Sequence, residues 1–218
     1  MKDNDQEHSK LKVPDNFADS HDSDVWSIFK IMGEFVDGYD KLFRIGPCVS
    51  IFGSARMKEG DNYYEMARDT AHKVTQKGFG VITGGGPGIM EAANKGAQEG
   101  GGKSVGLGIT LPHEQGVNSF VDQDYVINFH YFFARKVMFV KYAQGFIVFP
   151  GGFGTLDEFF EAMTLIQTKK INPFPLVLIG SDYWGGLVDW IKNKMISQET
   201  ISEEDLSLFQ VTDDPDEA

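Results

Sequence analysis

Short apolar runs alternate with amphipathic segments along the chain from Pro47 onward. Six runs have the length and the Val, Ile and Phe content of buried strands: CVSIF, FGVIT, SVGLGI, YVINF, FIVF and PLVLI. Between and after these runs, apolar positions recur at helical spacing. The predicted helices lie near residues 61–77, 88–100, 130–143, 155–168 and 184–195. Repeated strand–helix units of this kind predict an α/β fold with a doubly wound, mainly parallel, Rossmann-like sheet.

A further helix is predicted before the first strand. Residues 25–43 carry apolar side chains at helical spacing over a stripe wider than one packing face requires. We therefore expect this helix to pack on the core and also to contact another subunit, in a homodimer or a higher homo-oligomer. Residues 1–23 are polar and acidic and are expected to be disordered. Residues 24–212 are expected to form one domain, and residues 213–218 an acidic tail.

The net charge of −12 is concentrated at the two ends of the 218-residue chain. Residues 1–24 hold three basic and seven acidic side chains, and residues 197–218 hold eight acidic and no basic ones. The other 17 basic and 17 acidic residues balance, so no basic surface for nucleic acid is predicted. No apolar run approaches the roughly 20 residues that span a bilayer, and no membrane partner is expected.

Cys48 is the single cysteine, which excludes a disulfide within the chain and a cysteine-based zinc site. The N-terminal residues lack the apolar segment of a signal peptide, so the expected location is the reducing cytoplasm. The histidines show no metal-ligand spacing, and no G-x-S-x-G nucleophile motif is present. Metal-dependent and serine-based catalysis are therefore disfavoured.

Three glycine-rich loops follow predicted strands: GSAR at 53–56, GGGPG at 84–88 and PGGFG at 150–154. In doubly wound sheets, ligands bind where such loops converge at the carboxyl ends of the strands. The second and third loops do not fit the G-x-G-x-x-G dinucleotide pattern, which disfavours a nicotinamide dehydrogenase. AQEGGGKS at 97–104 is similar to a phosphate-binding P-loop, but it leaves a helix and opens a strand, which is the reverse of the required order.

The third loop opens a helix, and a helix N-terminus attracts anions. Gly151, Gly152 and Gly154 would allow a ligand to approach the backbone closely. An alternative is structural. Thr155-x-x-Glu158 fits a capping box, which would occupy Glu158 fully.

Arg135 and Lys136 lie in a segment that is apolar on nearly all sides. A cation buried there needs an anion, either a structural carboxylate or a ligand in the same cleft as the third loop. Glu158 would lie one turn into the following helix, roughly 4–5 Å along its axis. If the loop binds a phosphate, this carboxylate would face the attached sugar, where it could stabilise oxocarbenium charge.

Together the motifs resemble the LOG family, cytokinin riboside 5'-monophosphate phosphoribohydrolases that were often labelled lysine decarboxylases. The motifs are GSAR, GGGPGIMEAANKGA at 84–97, RKVMF at 135–139 and PGGFGTLDE at 150–158, and the match extends over residues 48–196. The resemblance implies hydrolysis of a nucleoside 5'-monophosphate, such as AMP or an N6-substituted relative, to free base and ribose 5-phosphate without a cofactor. RKVMF departs from the RKAxM of plant members, so a pocket for a cytokinin side chain is not implied.

The resemblance also implies roles for individual residues. Arg135 and Glu158 would form the catalytic pair, and the loop of residues 151–155 would hold the phosphate. The candidate substrate-binding residues are Gly151, Gly152, Phe153, Gly154, Thr155, Lys136, Glu114, Ser54, Gly86, Met90, Glu91 and Asp157. Asp157 has a second explanation, since acidic side chains near a helix N-terminus are favourable in themselves.

Two other functions stay open at this point. One is a non-catalytic carrier of a nucleotide or of a phosphorylated cofactor on the same fold. The other is a pyridoxal-dependent lysine decarboxylase, which needs a Schiff-base lysine and a partner for the pyridinium ring. Lys136 or Lys141 could supply the lysine, but no nearby residue specifies the ring.

Overall fold

A seven-stranded, all-parallel sheet forms the centre of the protein. The structure is a computed structural model that describes residues 20–110 and 116–218, with side chains from residue 25 onward. The strands are β1 (Cys48–Phe52), β2 (Gly80–Thr83), β3 (Ser104–Ile109), β4 (Val126–Phe129), β5 (Ala143–Val148), β6 (Leu176–Ile179) and β7 (Gln210–Thr212). The predicted doubly wound α/β fold is confirmed.

Six α-helices pack on the sheet in the described part of the chain. They are α1 (Ser20–Leu42), α2 (Asn62–Gln76), α3 (Ile89–Glu99), α4 (Phe132–Tyr142), α5 (Phe153–Gln167) and α6 (Ser181–Trp190). One face of the sheet packs on α2 and α3, through a cluster that includes Ile51, Tyr64 and Ile89. The other face packs on α1, α4 and α5, where Phe52 contacts the rings of Phe139 and Phe146.

Two elements near the C-terminus differ from the sequence-based expectations. The helix predicted near residues 184–195 is shorter, because α6 ends at Trp190 and the chain continues as a π-helical segment, Ile191–Ile196. Strand β7 was not predicted. It lies in the acidic C-terminal part of the chain and pairs in parallel with β6. Two residues of the predicted acidic tail contact the rest of the protein. Asp213 accepts hydrogen bonds from Ser181, and Asp216 forms an ion pair with Lys73.

The strand order β4-β3-β2-β1-β5-β6-β7 places the reversal of the winding between β1 and β5. The chain moves outward from β1 to β4 and then returns to β5 on the other side of β1. The loops that leave β1 and β5 therefore turn away to opposite sides and open a crevice between them. A backbone hydrogen bond of 2.9 Å from Ser54 to the carbonyl of Pro150 joins the two loops at its base.

The N-terminal helix is anchored to the start of α4. The carboxylate of Glu34 accepts hydrogen bonds from the backbone N–H groups of His130, at 2.7 Å, and Tyr131, at 3.2 Å. Further along α1, Gly38 lets the helix approach Met138, since an added Cβ would lie 2.8 Å from the methionine Cε. These contacts fix the position of α4, which carries Arg135.

A buried polar network fixes the glycine-rich loop after β2. Asn94 of α3 accepts a hydrogen bond from Thr83 at 2.6 Å and donates one to Ser104 at 2.9 Å. The side-chain amide of Asn118 donates to the carbonyls of Gly85 and Gly86, each at 3.0 Å. Because buried polar groups without partners are costly, this closed set of bonds restricts the loop to one arrangement.

Candidate active site

A cleft of about 600 Å³ lies at the carboxyl ends of β1 and β5, where the winding of the sheet reverses. Its walls come from the loops that follow β1, β2 and β5 and from the first turns of α4, α5 and α6. The lining residues include Ser54, Arg56, Gly84, Met90, Phe132, Arg135, Gly151, Gly152, Phe153, Gly154, Thr155, Asp157, Glu158 and Tyr183. The volume lies within the range typical of small-molecule sites.

Helix α5 begins at the cleft. Its first residue is Phe153 and its N-cap is Gly152, and no side chain of the described residues caps the helix. The structure contradicts the alternative in which Thr155 and Glu158 form a capping box. The helix starts three residues earlier than that motif requires, so Thr155 lies inside its first turn. The first backbone N–H groups of a helix have no intrahelical acceptors, and here they lie at the wall of a cleft.

Packing explains one of the three glycines in this loop but not the other two. A Cβ added at Gly151 would lie 2.2 Å from Oγ1 of Thr155, so a larger residue does not fit there. A Cβ added at Gly152 or Gly154 would meet no atom of the described residues within 4 Å. The space beside these two glycines is open toward the cleft, as a ligand that contacts the backbone would require.

Arg135 projects from α4 across the glycine-rich loop that follows β2. A Cβ at Gly84 would lie 2.8 Å from its Nη2 atom, so glycine at this position makes room for the guanidinium. The guanidinium carbon lies 5.2 Å from the ring centroid of Phe139, within the range of a cation–π contact. Both the planar cation and the loop beneath it are thus held in place at the cleft wall.

Glu158 is a buried carboxylate at the same cleft, with 6% of its surface exposed. Burial raises its pKa to about 7, and the positive charges of Lys136 and Arg135 oppose this rise. Its Oε2 atom is buried and accepts no hydrogen bond from the described residues. A carboxyl group with such a pKa exchanges its proton near neutral pH, which suits a catalytic acid, base or charge stabiliser.

Lys136 turns away from Arg135, because successive helical residues point about 100° apart. Its Nζ atom lies 2.9 Å from Asp157 and 2.8 Å from Glu161, and Lys136 is not among the residues that line the cleft. Burial lowers the pKa of Lys136, but the hydrogen bonds to Glu161 and Asp157 together raise it by more. The pKa therefore lies above its ordinary value. Lys136 thus joins α4 to α5 through these two ion pairs.

The other residues singled out from the sequence divide into three groups. Ser54, Met90 and Asp157 line the cleft beside the loop of residues 151–155. Gly86 and Glu91 do not line it: the Gly86 carbonyl bonds to Asn118, and Glu91 accepts a hydrogen bond of 3.0 Å from Tyr64. Glu114 lies outside the described residues.

Among the polar side chains that line the cleft, sequence reasoning did not select Arg56 and Tyr183. Arg56 belongs to the GSAR motif and could have been selected on that ground. Tyr183 follows β6, whose carboxyl end lies at the same edge of the sheet, so the strand-end rule points to it as well. The Tyr183 hydroxyl donates a hydrogen bond of 2.7 Å to the carbonyl of Gly151.

In residues 20–110 and 116–218, no group of three or more His, Cys, Asp or Glu side chains is arranged to hold a metal ion. None of the helices in the described part of the chain combines the length and apolar composition needed to cross a bilayer.

A sequence model of the family described as "possible lysine decarboxylase" matches residues 90–218. A cytokinin riboside 5'-monophosphate phosphoribohydrolase of Arabidopsis thaliana is 26% identical over 158 residues, covering 71% of each chain. The enzyme with the same name from Rhodococcoides fascians is 25% identical over 152 residues, covering 68% of this chain and 75% of the relative. A pyrimidine/purine nucleotide 5'-monophosphate nucleosidase of Escherichia coli is 30% identical over 145 residues, covering 60% of this chain but only 32% of that longer protein.

Solved structures share the fold at lower sequence identity. The molybdenum cofactor carrier protein of Chlamydomonas reinhardtii superposes with a TM-score of 0.54 at 24% identity, over 78% of this chain and 91% of the carrier. The molybdenum cofactor binding protein of Rippkaea orientalis gives a TM-score of 0.52 at 22% identity, with the same coverage. These likenesses show the fold alone.

Replacing Gly154 by Ala should separate ligand binding from stability. Alanine favours a helix over glycine, so we expect the free energy of unfolding to rise by about 0.5 kcal/mol. The new methyl group would point into the open space of the cleft and should weaken the binding of inorganic phosphate about tenfold. Urea unfolding and calorimetric titration measure the two effects.

Gly186→Ala in α6 is the matched control, because a Cβ there also meets open space but lies outside the cleft lining. It should gain similar stability and leave phosphate binding unchanged. Equal phosphate affinity in the parent protein and the Gly154→Ala variant would contradict the expectation that this loop binds an anion.

Proposed function

We propose that this chain, which belongs to the possible lysine decarboxylase (LOG) family, hydrolyses a purine nucleoside 5'-monophosphate. Its relatives in the family include nucleotide-cleaving hydrolases. The products are the free base and ribose 5-phosphate, and AMP or an N6-substituted relative is the substrate. One observation carries the proposal: a buried carboxylate with a pKa of about 7 shares a cleft with a guanidinium and an uncapped, glycine-rich helix start.

The phosphate of the substrate binds at the start of α5 in this proposal. The N–H groups of residues 152–155 are donors without intrahelical acceptors, and the helix dipole favours an anion there. Arg135 adds a positive charge at the same cleft and either neutralises the phosphate or orients the ribose. The glycines at 152 and 154 leave room for the phosphate oxygens to approach the backbone.

Glu158 then acts on the sugar. When the bond between C1′ of the ribose and the base breaks, positive charge develops on C1′ and the ring oxygen. The ionised carboxylate stabilises that charge and accepts a proton from the water molecule whose oxygen bonds to C1′. The departing base takes up a proton from solvent, and Glu158 releases the proton that it accepted back to solvent. The net reaction adds the hydroxyl of one water to the ribose and a proton to the base.

The lysine decarboxylase activity in the family description does not fit the residues present. A pyridoxal group would need a lysine in the cleft for its Schiff base, and no lysine lies among the described residues that line it. Lys136 is paired with two carboxylates, and Lys141 is exposed near the rings of Tyr39 and Tyr142. The hydrolase proposal requires no such lysine.

Incubation with AMP, followed by chromatography for adenine and ribose 5-phosphate, tests the proposal. Glu158→Gln should lower kcat/KM at least 100-fold, and Arg135→Ala should lower it by a similar factor, because each removes a charge that stabilises the transition state. Glu161→Gln is the control, since this carboxylate lies on the same helix but does not line the cleft. It should change kcat/KM less than about threefold, because the ion pair that it makes with Lys136 lies outside the cleft lining.

The pH dependence follows from the pKa of Glu158. The ionised form is the active one, so kcat/KM should rise with pH and level off above about 7, and the residual activity of Glu158→Gln should lack this rise. Full activity in Glu158→Gln would overturn the catalytic role. Thermal stabilisation of the parent protein by AMP without release of adenine would instead indicate the non-catalytic carrier.

We further propose that the protein acts in the cytoplasm as a homodimer or a larger homo-oligomer. Helix α1 exposes a row of apolar side chains, and α4 exposes Phe132 and Phe133 beside it. The exposed apolar residues of α1 are Val25, Trp26, Ile28, Phe29, Met32, Val36 and Tyr39. Exposed apolar side chains in this number are typical of a protein–protein contact.

Sedimentation velocity tests the assembly. The expected mass is a multiple of the 24.3 kDa chain, and Phe29→Glu, which places a charge in the apolar row, should shift the distribution toward monomer. Lys30→Glu, a change at the neighbouring exposed position, should not. A monomer at micromolar concentration in the parent protein would contradict the proposal.

A further inference from the structure

Tyr183 contacts the loop that forms the proposed phosphate site, although 32 residues separate it from Gly151. Its hydroxyl donates a hydrogen bond of 2.7 Å to the carbonyl oxygen of Gly151. Half of the side chain is exposed, and it forms part of the cleft wall. The bond thus joins the start of α6 to the start of α5.

This hydrogen bond fixes the one peptide unit in the loop that is most free to rotate. The carbonyl of Gly151 and the N–H of Gly152 belong to the same planar unit, and the described chain contains no cis peptide bonds. In a trans unit the C=O and the N–H point in opposite directions. Neither residue has a Cβ to restrict rotation, so holding the oxygen at Tyr183 sets the direction of the Gly152 N–H.

Further contacts fix the first turn of α6, which carries Tyr183. The backbone N–H and the hydroxyl of Ser181 both donate to the carboxylate of Asp213, just after β7, at 2.7 and 2.5 Å. The Tyr183 ring packs edge-on against Trp184, with centroids 4.8 Å apart. Trp184 is buried and donates a hydrogen bond of 3.1 Å to the carbonyl of Ile179. The first turn of α6 is thus a rigid support for the hydroxyl.

We infer that Tyr183 is a positioning residue, which orients the Gly151–Gly152 peptide so that the Gly152 N–H can bind the phosphate of the ligand. The inference rests on the proposed function for the identity of the phosphate ligand. Tyr183 acts through the loop, so its effect concerns recognition of the phosphate rather than the chemical step. It contributes equally to the binding of substrate and transition state.

The variant Tyr183→Phe tests this role, because it removes the hydroxyl and keeps the ring. The affinity for ribose 5-phosphate, measured by calorimetry, should fall about 5- to 20-fold, the effect of one hydrogen bond. KM for AMP should rise by a similar factor while kcat changes less than about twofold. This is expected for a contact that stabilises the bound substrate and the transition state equally. Binding of adenosine, which has no phosphate, should not change.

Tyr142→Phe is the matched control, since its hydroxyl also faces a backbone carbonyl, that of Tyr39, but lies outside the cleft lining. It should leave the affinity for ribose 5-phosphate unchanged. If Tyr183→Phe lowers the melting temperature but binds ribose 5-phosphate as the parent does, Tyr183 has only a structural role and the inference is overturned. Equal losses for AMP and adenosine would overturn it too.

The same measurements separate this inference from the proposed function. A parent protein that binds ribose 5-phosphate but releases no adenine from AMP contradicts the hydrolase, while the effect of Tyr183→Phe on binding would still support the positioning role. A parent protein that binds neither ribose 5-phosphate nor AMP overturns both.

Discussion

The burial of the Glu158 carboxylate is the constraint on which the account of this protein depends. A carboxyl group removed from water is costly to ionise, and at Glu158 the cost is only partly offset by the nearby charges of Arg135 and Lys136. A structural carboxylate would normally be satisfied by hydrogen bonds, whereas the Oε2 atom of Glu158 accepts none from the described residues. Such an arrangement destabilises the folded protein, and the proposed catalytic role of Glu158 would explain why it is present.

The fold brings the partners of this carboxylate together from distant parts of the chain. Arg135 comes from the helix before β5, the glycine-rich loop comes from the turn after β5, and Tyr183 comes from the turn after β6. All of them meet at one edge because the strands are parallel and their carboxyl ends point the same way. The molybdenum cofactor carriers share this fold, which shows that the sheet supports more than one function. The chemistry of the cleft therefore depends on its side chains rather than on the fold.

Much of the architecture could be predicted from the sequence, because buried parallel strands and their connecting helices have clear periodicities. Strand β7 could not, since three residues in an acidic segment give too short a pattern, and pairing with β6 stabilises them. The capping-box alternative fails because Thr155 and Glu158 fit the motif but the helix begins at Phe153. A local motif does not fix where a helix starts when the preceding residues can also adopt helical geometry.

The residues that line the cleft were easiest to predict where a residue type is unusual for its place in the sequence. A cation in an apolar helix indicated Arg135, and a glycine-rich turn before a helix indicated the loop of residues 151–155. The same reasoning selected Lys136 equally, although adjacent helical residues face different directions and Lys136 pairs with Asp157 and Glu161. The contact of Tyr183 with Gly151 depends on tertiary structure, and no local pattern in the sequence reports it.

The most direct test of the central claim is a titration of the Glu158 carboxyl group itself, by carbon NMR of labelled glutamate, with Glu158→Gln to assign the signal. The account expects a pKa of about 7 in the free protein. It also expects a further rise when ribose 5-phosphate is bound, since a nearby anion disfavours the ionised carboxylate. A pKa near the ordinary value of 4.5 that does not respond to the ligand would contradict it.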